Sequence, residues 1–310
     1  MIDDLTVLHQ INKDTASEEM TLFKPKDSYR MQGRAGKPSP TKGTNLPNGV
    51  IVYFNLRDYD TTKDSIQLHF KDSDGKLIKT FSTQSKEEAL TVKVGGNQFV
   101  WDTRYEGAER LDGMIFWSAS FSGAKAVPGD YKVVLEKNGV EVERAFTILP
   151  DPRSEATVSD MKRQFDFVNQ VNATVDKAHK AIKNIRKINK KLSNFEENYG
   201  DLEETQALLS QVKELKKKFS EVEKALYQTK NRSNQDPLNF PIRLTNKLGH
   251  LNRLVTINDF PPTDQDEAVR SYLTSEVEKH LSIYQQMIDQ DLEDFNTAFA
   301  KLNLDYLTVN

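Results

Sequence analysis

The chain contains no cysteine in its 310 residues, which excludes disulfides and thiolate metal sites. No apolar run approaches the roughly 20 residues of a membrane span. Met1-Ile2-Asp3-Asp4 lacks the basic start and apolar core of a signal peptide, so any export signal would lie upstream of this sequence. Neither sign of charge dominates: 43 Lys and Arg stand against 46 Asp and Glu, for a net charge of -3. That balance lacks the basic excess of a dedicated nucleic-acid binder. There is no Gly-rich phosphate loop leading into a helix and no nucleophile elbow. The five histidines (His9, His69, His179, His250 and His280) show no paired ligand spacing. His179 and His280 are placed so that they would face one another between helices, which single histidines commonly do without binding anything. No catalytic residue, metal ligand or cofactor is therefore assigned.

What is present is a change of period. Asn97-Gln98-Phe99-Val100-Trp101-Asp102-Thr103-Arg104-Tyr105 alternates, with Phe99 and Trp101 on one face and Gln98, Val100 and Asp102 on the other. A strand with one buried face shows that pattern. Val50–Leu56 and Ile66–Phe70 alternate in the same way, and Asp74-Gly75 and Asn138-Gly139 are hairpin signals. Short strands with turns every 8–12 residues across 47–150 predict an immunoglobulin-like β-sandwich. Pro150-Asp151-Pro152 stops the last strand. Beyond it apolar residues recur at helical spacing: Met161, Phe165, Val168, Val175, Ile182, Ile185 and Leu192 first, then Leu208, Val212, Leu215, Phe219, Val222 and Leu226. A shorter run carries Leu244, Leu248 and Leu251, and the last carries Tyr272, Val277, Leu281, Tyr284, Ile288, Phe295 and Phe299. Residues 151–310 thus predict an elongated antiparallel four-helix bundle, with Phe165, Phe219 and Phe295 in its interior. Residues 1–46 read as an extended arm, whose spaced Leu22, Phe23, Tyr29 and Met31 would lie over another surface.

Each feature that would carry chemistry has a plainer reading. The run from Lys177 to Lys191 holds seven basic residues and no acid, but Ala178, Ile182 and Ile185 interleave it at core spacing. A solvated helix flank accounts for it. Asp72-Ser73-Asp74-Gly75 lacks the further ligands of a calcium loop and reads as a hairpin tip. Trp101, Trp117 and Tyr105 would make a sugar-stacking platform if exposed, whereas tryptophan on an alternating strand is more often core. With Phe23 and Tyr29 from the arm, these are the candidate interaction or glycan-contact residues.

Phe99-Val100-Trp101-Asp102-Thr103-Arg104-Tyr105, Gly113-Met114-Ile115-Phe116-Trp117 and Val127-Pro128-Gly129-Asp130-Tyr131 resemble the C-terminal region of large bacterial proteins classed as glycosyl hydrolases. Those proteins carry BNR (Asp-box), sortilin-type β-propellers. The similarity continues at Leu46-Pro47-Asn48-Gly49-Val50, at Asp236-Pro237-Leu238-Asn239-Phe240-Pro241-Ile242-Arg243-Leu244 and at Asp291-Leu292-Glu293-Asp294-Phe295-Asn296. Ile2-Asp3-Asp4-Leu5 and Leu22-Phe23-Lys24-Pro25 resemble the segment leaving the last propeller blade. The Trp-Asp strand followed by Pro-Gly-x-Tyr also looks like the fibronectin III-like domain of the flagellar hook-capping protein. The resemblance implies an exported protein (periplasmic, cell-surface or secreted) whose propeller is absent from this sequence. Any catalytic residues of the family would be expected in that propeller, and none carries over. Three functions follow as expectations. The first is a non-catalytic accessory or docking portion whose partner is the upstream propeller of the same protein. The second is a carbohydrate-binding module that uses exposed aromatics, and the third is a structural or assembly spacer.

Overall fold

A computed structural model describes residues 5–32, 41 and 46–302, with the side chains of residues 14 and 16 left out. Ile2-Asp3-Asp4, much of the segment between Met31 and Leu46, and residues 303–310 of the expected bundle lie outside the described residues. Among the described residues the fold is mixed, with eight strands followed by a helical region. It divides into two compact units. The first comprises the chain through Gly107, Ser122–Asp166 and Asn258–Pro261. The second comprises Ala108–Phe121, Phe167–Ile257 and the chain from Pro262 on.

In the first unit a 3-10 turn at Leu8–Gln10 and a short helix α1 (Lys13–Ser17) precede the strands. These are β1 (Met20–Leu22), β2 (Ser28–Arg30), β3 (Val50–Leu56), β4 (Ile66–Asp72), β5 (Leu77–Ser82), β6 (Gly95–Trp101), β7 (Gly129–Lys137) and β8 (Val140–Pro150). One sheet has the order β1-β3-β6 and the other β2-β8-β7-β4-β5. All pairings are antiparallel except β2 with β8. Val50, Val52, Phe54 and Leu56 of β3 share one core with Ile66, Leu68 and Phe70 of β4 and Tyr131, Val133 and Leu135 of β7. Period-two alternation places these side chains on the inner faces. Trp101 stands at the centre of that core, stacked on Phe70 with ring centroids 4.5 Å apart. Asn138 and Gly139 both adopt positive φ (53° and 87°), the pair of left-handed residues that a two-residue β7–β8 hairpin requires.

Two expectations about this unit need correction. Residues 1–46 are more than an extended arm, because β1 and β2 each add an edge strand to a different sheet. Strands of three residues are too short to display an alternation. The strand around Trp101, β6, also ends at Trp101 rather than running on to Tyr105. Thr103 sits at φ 62°, a strained position for a β-branched residue, and this turns the chain out of the ladder.

In the second unit α2 (Val158–Tyr199, of which Phe167 onward belongs here), α3 (Gln206–Leu226), α4 (Leu244–Val255), α5 (Asp264–Gln286) and α6 (Leu292–Ala300) share a core. A π turn at Met287–Asp291 joins α5 to α6. Thr263 and Asp266 close α5 with a reciprocal capping box, and Thr157 with Asp160 does the same for α2. Phe219 and Phe295 are buried here as expected. Phe165 is not: it is half-buried, belongs to the first unit and packs edge-on against Tyr105 at 4.7 Å, while Phe167 takes the core position.

The expected single boundary at Pro150–Pro152 is replaced by a more interleaved division. Ala108–Phe121, between β6 and β7 in sequence, packs with the helices, and Asn258–Pro261, between α4 and α5, packs with the strands.

Candidate functional site

The first unit carries two adjoining grooves beside the arm. Gln10 clamps Lys24 through both amide atoms, accepting from the Lys24 N–H at 2.7 Å and donating to its carbonyl at 3.0 Å. This holds the Leu8–Gln10 turn while Leu5, Leu8 and Ile11 stay exposed at 46%, 57% and 52%. A groove of about 270 Å³ is lined by Thr6, Val7, Tyr29, Met31, Leu46, Pro47, Ile51 and Tyr53. Its neighbour of about 490 Å³ shares Tyr29, Met31 and Pro47 and adds Asp102, Arg104 and Lys125. Gly49 lines both grooves, and any side chain there would drive its Cβ to 2.2 Å from the Trp101 carbonyl.

Beneath these grooves lies a buried polar cluster. The Arg30 guanidinium pairs with Asp259 and donates to the Gln164 Oε1 at 3.1 Å and the Ala126 carbonyl at 3.1 Å. Gln32 also donates to Asp259, at 2.9 Å, and Gln164 reaches the carbonyls of Asn258 and Phe260. One cation thus ties β2, the start of α2 and the Asn258–Pro261 turn together. Burial, with Arg104 adding to it, lowers the Arg30 pKa to about 10, so the guanidinium keeps its charge at neutral pH.

The pKa of Lys125, which donates to the Met31 carbonyl, is lowered too, from 10.5 to about 8. Burial is the main cause, followed by the positive charges of Arg30 and Arg104. The native state therefore binds fewer protons than the unfolded chain between about pH 8 and 10.5, and stability should rise with pH in that window. The expected gain is on the order of 2 kcal/mol. Above about pH 10 the tyrosines oppose it: burial raises the pKa of both Tyr105 and Tyr131. Their protons are then held more tightly in the native state, which lowers stability against the rise that Lys125 and Arg30 contribute. Urea midpoints measured from pH 7.5 to 10 should climb for the wild type and stay level for Lys125→Met. Parallel curves would show that Lys125 is not the group responsible.

The second unit holds the Ala108–Phe121 segment as a strap. Asn246 grips Trp117 from both sides, accepting from its N–H at 2.7 Å and donating to its carbonyl at 2.9 Å. His250 donates to the Ser118 carbonyl at 3.0 Å, Ser120 N–H to the Gly249 carbonyl at 2.8 Å, and Ile115 N–H to the Tyr227 hydroxyl at 2.8 Å. Gly249 permits this approach, since a Cβ there would lie 2.6 Å from the Phe121 ring. Trp117 is 40% exposed on this fixed backbone.

The candidate contact residues are therefore not brought together. Trp101 is fully buried, and its Nε1 donates to the Arg104 carbonyl, so it cannot stack on a glycan. Phe23 is buried too, and Tyr105 is half-buried against Phe165. Tyr29, 45% exposed in the first unit, and Trp117 in the second remain available. His179 does not face His280: its Nδ1 donates to the Glu109 carbonyl, and its ring packs beside those of Phe116 and Phe121. Within the Lys177–Lys191 run, Lys177, Lys183 and Arg186 are paired with Glu278, Glu109 and Glu223. The Asp72 carboxylate accepts from the N–H groups of Asp74 and Lys76, which makes it the capping group of its own hairpin. Among the described residues no three His, Cys, Asp or Glu side chains are grouped to hold a metal, and no helix is long and apolar enough to cross a membrane. Arg30, Gln164, Asp259 and Lys125 carried no signal in the sequence.

Comparison with known proteins adds little. No family model matches the chain, and no curated protein does. A solved structure named "pT26-6p" is similar over 78% of this chain and 48% of its own, at 10% identity and a TM-score of 0.13. The chain spans about half the length of that structure, and a likeness at this level carries no argument.

Proposed function

We propose that this chain is the non-catalytic accessory and docking portion of an exported, propeller-bearing protein that binds or processes glycans. In this reading the first unit is an immunoglobulin-like, fibronectin III-like sandwich, and the second is an elongated antiparallel four-helix bundle. The strand orders β1-β3-β6 and β2-β8-β7-β4-β5 around one aromatic core support the first assignment. The shared apolar core of α2, α3, α4, α5 and α6 supports the second.

The observation that carries the docking role is the exposure of Leu5, Leu8 and Ile11, three large aliphatic side chains on one short turn. Grouped apolar exposure of this kind marks an interaction surface more often than a free one. The occupant we assign is the upstream propeller, on the sequence resemblance of the arm to a propeller exit segment. A second reading, direct glycan binding, rests on Trp117, which its hydrogen-bonded strap presents to solvent. Hydrolysis and binding assays separate the two. The purified chain should release nothing from a panel of aryl glycosides. On a glycan array it should show no signal that Trp117→Ala abolishes. Turnover that survives purification would overturn the non-catalytic role, and Trp117-dependent glycan binding would favour the second reading.

A further inference from the structure

Among the described residues the two sheets have four edges, and three are blunted. β1 and β2 are three residues long. β5 carries Lys79, faces a register shift at Phe70/Lys71, and is closed at its end where Ser82 bonds Glu88 and Leu90. Short edges, charges and irregularities are the usual means of keeping an edge from pairing. β6 has none of them. It runs seven residues, Gly95–Trp101, without a charge or a proline, in unbroken register with β3 from Val50↔Trp101 to Leu56↔Gly95. Among the described residues no strand other than β3 pairs with it, and at its start the Gly95 carbonyl accepts from the Asn97 side-chain amide at 2.9 Å.

At the start of β6 lies a groove of about 480 Å³, lined by Val7 and Phe23 of the arm, Tyr53 of β3, Lys93, and Gly96 and Gln98 of β6. Gly96 is exposed and has no side chain, so a neighbouring strand's side chain has room there. Lys93 is exposed and has no ion pair among the described residues. Val94, next to it, is 56% exposed. An open ladder of N–H and C=O groups recognises only another extended backbone, and an adjoining pocket selects its side chains.

We propose that β6 is a β-addition site that accepts an extended peptide segment of a partner protein as a fourth strand of the three-stranded sheet. The segment would offer an apolar or aromatic side chain to the groove over Gly96 and a carboxylate to Lys93. The groove meets the Leu5–Ile11 turn at Val7, but the β6 ladder itself is not part of that turn, and strand addition does not depend on the propeller reading.

The probes are capped nine-residue peptides alternating Val or Tyr with Thr or Asp, titrated against the full chain by fluorescence anisotropy. Binding should slow amide hydrogen exchange in β6 selectively. N-methylating alternate amides on the pairing edge of the best peptide should weaken it about tenfold or more, while methylating the opposite edge should change little. Equal loss from both methylated forms would overturn strand addition, as would no binding by any peptide at about 1 mM. Slow β6 exchange in the free, dilute chain would show the edge to be already covered. Protection that instead grows with protein concentration would make the occupant a second copy and overturn the assignment to a partner peptide.

Discussion

Asp259→Ala should destabilise the first unit by about 3–5 kcal/mol, because it strands the Arg30 guanidinium without its counter-charge in a dry interior. Arg30 and Asp259 are both almost wholly buried, and three segments far from Arg30 in sequence converge on the guanidinium. Replacing both partners with leucine should cost less than either single change, since a matched apolar pair leaves no orphan charge. Trp101 reports this unit, so Trp117→Phe gives a clean fluorescence background for urea titrations. A loss below about 1 kcal/mol for Asp259→Ala would mean that water reaches the pair and it behaves as a surface contact.

The second large effect is expected at Trp101. Its ring stacks on Phe70 and meets Tyr131 and Phe146 edge-on, at 6.2 and 6.3 Å. Trp101→Ala should cost about 3–5 kcal/mol through lost contacts and the cavity left behind. Trp117→Ala removes a partly exposed side chain whose strap is held by backbone hydrogen bonds, so it should stay within about 1 kcal/mol of wild type. Similar denaturation midpoints for the two variants would contradict the placement of Trp101 at the centre of the core.

Much of the β architecture was legible because its signals are local. Alternation exposes β3 and β4, and Asp74-Gly75 and Asn138-Gly139 fix two hairpins by the backbone angles glycine permits. What was hidden depends on distance along the chain. Arg30 and Asp259 lie 229 residues apart, and nothing near either one marks it as buried. The strap has no period, since its order comes from Asn246, Gly249 and His250 rather than from its own side chains. On α2 the stripe picked Phe165 over Phe167 because the helix begins in one unit and continues in the other, so its buried face changes along its length. On α5 the expected interior Tyr272 is 63% exposed and Leu273 is buried, a shift of one residue that turns the face by about 100°. The candidate contacts fared unevenly for a related reason. An aromatic on an alternating strand signals burial or display equally well, and only the packed sheets separate Trp101 from Tyr29.

Affinity for the proposed upstream propeller tests the proposed docking role most directly. Isothermal titration of the full chain with that propeller, produced separately, should show saturable binding. Leu8→Asp with Ile11→Asp, both on the exposed turn, should weaken it at least tenfold while leaving the urea midpoint of the first unit unchanged. Binding that ignores both substitutions, or none at all at high micromolar concentration, would contradict the docking account.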